Sequence, residues 1–277
     1  MMFSFKELLQ SKKGNPLVMG ILNITPDSFS DGGCCFSIES VSLRVKELCD
    51  AGADIIDVGA CSTAPGNVVV SKGEEIERLK RFLPVVLNTS TVPVSVDTFR
   101  PAVARLCLEY GVKIINDESG AFDSGMAQCV NEYGCGWIFM HTGGKTSSET
   151  NDYSNGVVTN VLEFFADMRK KASNYSIAEE RLCYDCGIGF GKKRQDDLAL
   201  LSACSRLSDD YRLLVGVSRK RIIGILTGEE NPRNRVVGSA AAAAALAQNG
   251  VSVLRVHDVK ETVDAIKVTQ AIKRGIL

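Results

Sequence analysis

The sequence predicts an α/β protein, a closed (β/α)8 barrel of the TIM type, in one domain over residues 1–277 with its core at about 17–268. Three observations predict it. A short unit recurs, in which a helical segment ends at glycine and a β-branched run follows and stops at a polar residue. Apolar runs of strand length alternate with helical segments, eight of each. No Pro-rich or Gly/Ser-rich linker divides the chain. A run that is apolar throughout suits a parallel strand covered on both faces. Strands alternating with helices imply a parallel sheet, and eight such units in this length imply closure.

The first strand is expected at 17–22, ending at Asn23. Residues 37–51 carry Val41, Leu43, Val45 and Leu48 at helical spacing. Gly52 suits a left-handed helix end, and the run after it stops at Asp57. Ser71 and Glu74 form a capping-box pair for the next helix. The strand at 93–97 ends at Asp97, and Pro101 fits the first turn of the helix beyond it. Gly111 leads to a strand ending at Asn116 and Asp117, and Gly134 to one ending at His141. Strands at 181–185 and 213–217 deliver Asp185 and then Ser218, Arg219 and Lys220. Gly250 leads into the last strand, which presents Arg255 and His257. The alanine-rich segment 240–247 reads as a close-packed helix, and 143–156 as a polar loop.

The formal charge is −1, from 32 basic and 33 acidic residues, with no basic block. This argues against nucleic acid or an anionic membrane surface as partner. No apolar run approaches the ~20 residues of a membrane span. The first 15 residues mix Phe3, Phe5, Leu8 and Leu9 with lysines and lack the continuous apolar core of a signal peptide. The ten cysteines therefore read as reduced thiols, which places the protein in the cytoplasm. Cys183 and Cys186 are three apart, so on a strand they point to opposite faces and are poorly placed to share a metal.

Barrel chemistry sits at the C-terminal ends of the strands. Asp97, Asn116, Asp185 and Lys220 form one group there, suited to a flat heterocycle with a guanidine-like edge and a carbonyl. A carboxylate accepts two parallel N–H bonds from such an edge, an amide donates and accepts, and a lysine donates to the carbonyl. Asn23, Thr63, Arg219, Arg255 and His257 form a second, cationic or donating group suited to an anion. Its members after the seventh and eighth strands lie where barrels commonly bind phosphate. Read singly, Asp97 and Asp185 fit helix caps, Asn116 a turn and Arg255 a surface ion pair; His141 reads as structural.

Six stretches in order carry a family pattern: Val-Met-Gly-Ile-Leu-Asn-Ile-Thr-Pro-Asp-Ser-Phe-Ser-Asp-Gly-Gly at 18–33, Ser95-Val96-Asp97-Thr98, Ile114-Ile115-Asn116-Asp117, the run from Asp185 to Lys192, Gly216-Val217-Ser218-Arg219-Lys220, and Arg255-Val256-His257-Asp258. Together they closely resemble dihydropteroate synthase. The resemblance implies Mg²⁺-dependent transfer of the pterin methylene from 6-hydroxymethyl-7,8-dihydropterin pyrophosphate to p-aminobenzoate, in folate biosynthesis. It implies that Asp97, Asn116, Asp185 and Lys220 bind the pterin, with Lys220, Asp97 and Asp185 at the centre of catalysis. Asn23 would help hold Mg²⁺, and Thr63, Arg255 and His257 the pyrophosphate. Ser218, Pro65 and Phe190 would lie near p-aminobenzoate. The family is typically homodimeric.

Where the family usually has Glu-Ser-Thr-Arg-Pro-Gly after the second strand, this chain has Cys61-Ser62-Thr63-Ala64-Pro65-Gly66. A lost charge-assisted hydrogen bond costs about 1.5–3 kcal/mol, which bears on the acceptor amine more than on the pterin. Three other readings compete. A pterin-dependent methyltransferase domain would not need Asn23, Arg255 and His257 for pyrophosphate. A non-catalytic or altered-acceptor pterin-binding paralogue rests on Ala64. A zinc site from Cys61, Cys186, His141 and His257 lacks local ligand spacing.

Overall fold

The computed structural model describes residues 2–12, 14–24, 37–61, 70–143 and 150–275. Eight strands close into a barrel in chain order: β1 (Leu17–Asn23), β2 (Ile55–Gly59), β3 (Val94–Asp97), β4 (Ile114–Asp117), β5 (Gly136–Met140), β6 (Leu182–Asp185), β7 (Leu213–Val215) and β8 (Val253–Val256). Every pairing is parallel, and β8 returns to β1. Around them run α1 (Phe5–Ser11), α2 (Ile38–Asp50), α3 (Lys72–Thr89), α4 (Pro101–Tyr110), α5 (Ser124–Tyr133), α6 (Val157–Asn174), α7 (Arg194–Ser202), α8 (Cys204–Asp210), α9 (Arg221–Thr227), α10 (Val236–Gln248) and α11 (Val259–Arg274). All eight expected strands are present, with β7 two residues shorter than its apolar run.

The period of two along each strand divides the core. Val18, Ile56, Val58, Val96, Ile115, Trp137, Tyr184, Val215 and Leu254 pack outward against the helices. Leu17, Met19, Ile55, Ile114, Ile138, Cys183, Leu214 and Val253 fill the barrel interior. Two residues further along, the inward position becomes polar: Ile55 gives way to Asp57, Ile114 to Asn116, Cys183 to Asp185 and Val253 to Arg255. The lower layer is dry packing, and the layer above it is the floor of a site.

The N-terminal end of the barrel is stopped by α1, which the sequence reading did not anticipate. Ser4 caps this helix by accepting the Glu7 N–H at 3.2 Å, and Phe5 joins the interior cluster with no exposed surface. Gly136 makes room, since a Cβ there would lie 2.7 Å from the Phe3 ring.

Local signals behave as expected elsewhere. Ser71 accepts the Glu74 N–H at 3.2 Å, half of the expected capping box, while the Glu74 carboxylate pairs with Arg78; Pro101 opens α4, and Gly111 and Gly134 end α4 and α5 in left-handed backbone. The alanine-rich helix is α10, which packs on α11. Cys183 points into the barrel and Cys186 away from it. Among the described cysteines Cys61, Cys107, Cys129, Cys135, Cys183, Cys186 and Cys204 are buried free thiols, and burial pushes Cys135 and Cys183 up to about 12. No described helix is long and apolar enough to cross a membrane.

If α1 is part of the barrel core, Phe5→Ala removes an interior side chain and costs about 3–5 kcal/mol of stability. Urea unfolding measures this. A loss below about 1 kcal/mol would mean that α1 is an appendage.

Candidate active site

A cavity of 580 Å³ opens at the C-terminal ends of the strands. Of the ten expected site residues that are described, nine line it: Asn23, Asp97, Asp185, Phe190, Ser218, Arg219, Lys220, Arg255 and His257. Asn116, only 1% exposed, lies under the floor. Thr63 and Pro65, with Ala64, fall outside the described residues.

The floor is a network joining four strands. Arg255 donates from Nε to Asp57 Oδ2 at 2.7 Å and from Nη2 to Asp97 Oδ2 at 3.1 Å. Asn116 Nδ2 donates to the same Asp57 oxygen at 3.2 Å. Register explains the meeting, because Asp97 stands beside Asn116 on neighbouring strands and Asp57 beside Ser95. Asp57 Oδ1, Ser95 Oγ and Asn116 Oδ1 are buried with no protein partner. Buried polar atoms seldom stay unpaired, so three of them on adjacent strands mark where a ligand or ordered water completes the layer.

Two arginines expected to face an anion are committed to carboxylates. Arg255 is raised above the ordinary guanidinium range because Asp57 and Asp97 outweigh its burial. Arg219 pairs through both its Nε and Nη2 with Asp258, Nε to Oδ2 at 2.9 Å. The capping alternative also fails for the two aspartates, since Arg100 and Lys193 are the N-cap residues of α4 and α7. Asp117, beside Asn116 in sequence, faces outward and accepts the Trp137 indole N–H at 3.3 Å.

Asp185 and Lys220 form the opposite wall. Burial raises Asp185, with Lys220 and the Gly187 N–H, 2.7 Å away, opposing. Burial lowers Lys220, with Asp185 the main opposing influence. Each charge therefore stabilises the other. Lys220 Nζ also donates to Ile188 O at 2.5 Å and stands 4.9 Å from the centre of the Phe190 ring.

The turn that delivers Lys220 is strained. Arg219 has φ 60°, left-handed backbone in a residue with a Cβ, which costs of order 1 kcal/mol or more. Besides Asp258, Ser239 Oγ accepts its N–H at 2.9 Å and Arg235 Nη1 donates to its carbonyl at 3.0 Å.

On the anion side, the Ser218 hydroxyl accepts the backbone N–H of His257 at 3.2 Å and meets the ring Nδ1 at 3.2 Å. The hydroxyl oxygen has a second lone pair, so either it or the ring can be the donor of this bond, according to the ring's tautomer. Burial, with Arg219 and Arg255 nearby, pushes His257 down to about 3. His141 is pushed down to about 4 by burial; its Nε2 donates to Asn160 Oδ1 at 2.8 Å and its Nδ1 is unpartnered. His141 is not among the residues that line the cavity.

Sequence reasoning missed Glu118. It lines the cavity, hydrogen-bonds with Asp97, and after burial is the main influence raising that carboxyl well above its usual range. Its charge also acts on Asp185, Lys220 and Arg255. The signal was present in the inward alternation Ile114, Asn116, Glu118. For the zinc reading, the described residues contain no group of three His, Cys, Asp or Glu side chains able to hold a metal.

Comparisons with known proteins agree with this geometry. A profile of the family described as pterin binding enzyme matches residues 19–257. The dihydropteroate synthase of Escherichia coli strain K12 is 39% identical over 260 residues, 93% of this chain and 92% of its own. Among solved structures, Xanthomonas albilineans dihydropteroate synthase with 4-aminobenzoic acid has a TM-score of 0.87 at 40% identity, covering 94% of this chain and 93% of that one. The same enzyme in complex with 7,8-dihydropteroate has a TM-score of 0.83 at 38% identity, covering 94% of each chain.

Two outcomes follow from the charges. The unfolded chain protonates histidine near pH 6.5, whereas both rings stay neutral in the fold to about 4 and 3. Each therefore withdraws about 1.4 kcal/mol of stability per pH unit as pH falls from about 6.5 towards those values. NMR should show neither ring titrating between about pH 5 and 8, and a midpoint near 6.5 for either would contradict its burial. Asp97 has the opposite sign: its raised folded-state value removes stability as pH rises from the unfolded towards the folded value. Glu118→Gln should bring the Asp97 carboxyl back towards its ordinary value, read by NMR as a lower Asp97 midpoint than in wild type; an unchanged midpoint would remove Glu118 from the network.

Proposed function

The chain belongs to the dihydropteroate synthase family of pterin-binding enzymes, and on that premise we propose how its own residues divide the reaction. The substrates are 6-hydroxymethyl-7,8-dihydropterin pyrophosphate and p-aminobenzoate. The bond from the pterin methylene carbon to the pyrophosphate oxygen breaks, its electron pair leaving with pyrophosphate. The arylamine nitrogen forms the new bond to that carbon and loses a proton to solvent, giving 7,8-dihydropteroate.

The single observation that carries this reading is the Asp185–Lys220 pair beside Phe190, facing the Asp57–Asn116–Arg255–Asp97 layer across one cavity. Asp185 accepts the amino and ring N–H of the pterin, Lys220 donates to its carbonyl, and Asn116 Oδ1 becomes satisfied when the ring covers it. As the methylene carbon becomes electron-poor, Asp97 and Asp185 supply negative charge fixed in a site shielded from water. Arg255 holds Asp97 in place and turns its remaining N–H groups towards the departing anion. His257 is neutral, and in the tautomer that carries its proton on Nε2 it donates a hydrogen bond to pyrophosphate. Thr63 completes the anion group, while Ser218, Pro65 and Phe190 border p-aminobenzoate.

Mg²⁺ fits the donor set. Asn23 Oδ1 lies at the cavity wall, where a Cβ on Gly59 would come within 2.9 Å of it. One hard oxygen suits a cation that takes its other ligands from pyrophosphate and water. When bound, the ion neutralises charge on the leaving group. Exposed Val237, Val268 and Ile272 on α10 and α11 support pairing of two copies through this face, and the reduced thiols support a cytoplasmic location. Cys61 on the cavity wall, with Ala64 near it in sequence, favours a second reading in which the barrel accepts a different arylamine.

The test is one incubation with dihydropterin pyrophosphate, p-aminobenzoate and Mg²⁺, with dihydropteroate detected by mass spectrometry. Lys220→Ala and Asp185→Ala should each weaken pterin binding by about tenfold to a hundredfold and abolish product. Tight pterin binding by wild type without product would favour the different acceptor, and undiminished binding in both variants would remove the pterin assignment.

A further inference from the structure

Lys192 ends the turn that follows β6, two residues past Phe190, and its side chain runs inward until the residue is only 2% exposed. Its ammonium meets three carbonyl oxygens: His141 O just beyond β5 at 2.9 Å, Gly187 O at 2.9 Å and Phe190 O at 2.8 Å. An ammonium has three N–H donors, and all three are used. The turn can wrap this closely because Gly187 is left-handed, at φ 63°, where a Cβ would collide with His141 O at 2.0 Å.

The same backbone shapes the site. The Gly187 N–H holds Asp185, the Ile188 carbonyl receives Lys220, and the Phe190 ring faces the Lys220 ammonium. The Gly189 N–H is tied to Asp197 Oδ1 at 2.6 Å. Two of the three carbonyls bound to Lys192 belong to residues that themselves contact Asp185 or Lys220.

We infer that Lys192 is a positioning residue, the cationic core around which the turn 186–191 folds, and that the Asp185–Lys220–Phe190 wall is formed only while this ammonium is charged. A neutral amine has two N–H donors and a lone pair, so one carbonyl would lose its donor and face that lone pair. The inference rests on the pterin reading for the identity of the ligand, but the cage itself does not. The groups facing Lys192 are Asp185 and Cys186 from the β6 end, Asp197 from α7, Lys220 from the β7 end and neutral His141 from the β5 end. Burial brings Lys192 down to about 8, with Cys186, Asp185 and Asp197 opposing and Lys220 adding. The charged cage is therefore intact at neutral pH and is lost as pH rises through that value.

The experiment uses the full chain as wild type, Lys192→Met and Lys192→Arg. Hydrogen exchange of the Gly189 and Phe190 amides is followed without ligand, as protection factors, and 6-hydroxymethylpterin affinity by calorimetry, both from about pH 6 to 10. Wild type should lose protection and affinity together above about pH 8. Lys192→Met should bind about tenfold to a hundredfold more weakly at pH 7, with low protection and no further alkaline loss, and Lys192→Arg should recover part of both. A folded Lys192→Met with wild-type protection and affinity would overturn the inference, as would an alkaline loss of ligand-free protection that survives in it. Should Lys192→Met not fold, pH-independent protection in wild type overturns the inference and its alkaline loss supports it. A wild type that binds no pterin would overturn the functional reading, leaving the ligand-free exchange to decide on the cage.

Discussion

One guanidinium organises the interior of this barrel. Arg255 lies between Asp57 and Asp97 above an apolar layer, where charges are tolerable only when paired and hydrogen-bonded. Removing Arg255 would leave Asp57 and Asp97 as uncompensated buried carboxylates, at a cost of about 3–5 kcal/mol. Around Arg255 the other groups take their places: Asn116 leans on Asp57, Glu118 on Asp97, and Asp185 with Lys220 forms the facing pair. Four carboxylates surround two cations; burial raises both Asp97 and Asp185, and Glu118 adds to the rise of Asp97. This excess of negative charge suits a ligand that arrives with N–H groups and becomes electron-poor in reacting.

The loops add strain and support in matched amounts. Arg219 is held left-handed by contacts to Arg235 and Ser239 at the start of α10 and to Asp258 at the start of α11. The turn after β6 is closed around Lys192. Both turns flank Lys220, so its Nζ is aimed by backbone from two directions. Such over-determination keeps a flexible lysine chain in one place.

The strands and their polar ends were legible because they depend on local pattern. Alternation decides which face Asp97, Asn116, Asp185 and Arg255 take, and before four of the runs a glycine (Gly52, Gly111, Gly134, Gly250) marks the helix end. Pairings made across the barrel were not legible. Nothing near Arg255 in sequence shows that Asp57, 198 positions away, will take up its guanidinium. Lys192 reads as one more polar residue after a glycine-rich turn until three carbonyls converge on it. Glu118 was visible in the same alternation as Asn116 but follows the last apolar residue of its strand, where the pattern has no further apolar member to confirm it. The seven residues of α1 are too few for a helical period to stand out, and only the open end of the barrel shows why Phe5 is needed.

The buried free thiols have a practical consequence. Cys107, Cys129, Cys135, Cys183, Cys186 and Cys204 are spread over four helices and strands and the turns beside them, and none is bonded to another. A thiol closed off from water with its proton held on reacts poorly with alkylating reagents, so labelling waits until its neighbourhood opens. Each cysteine is thus an internal clock for its own part of the barrel. The order in which they become labelled, read by mass spectrometry on unmodified protein, would chart which sectors breathe first and whether filling the cavity slows them.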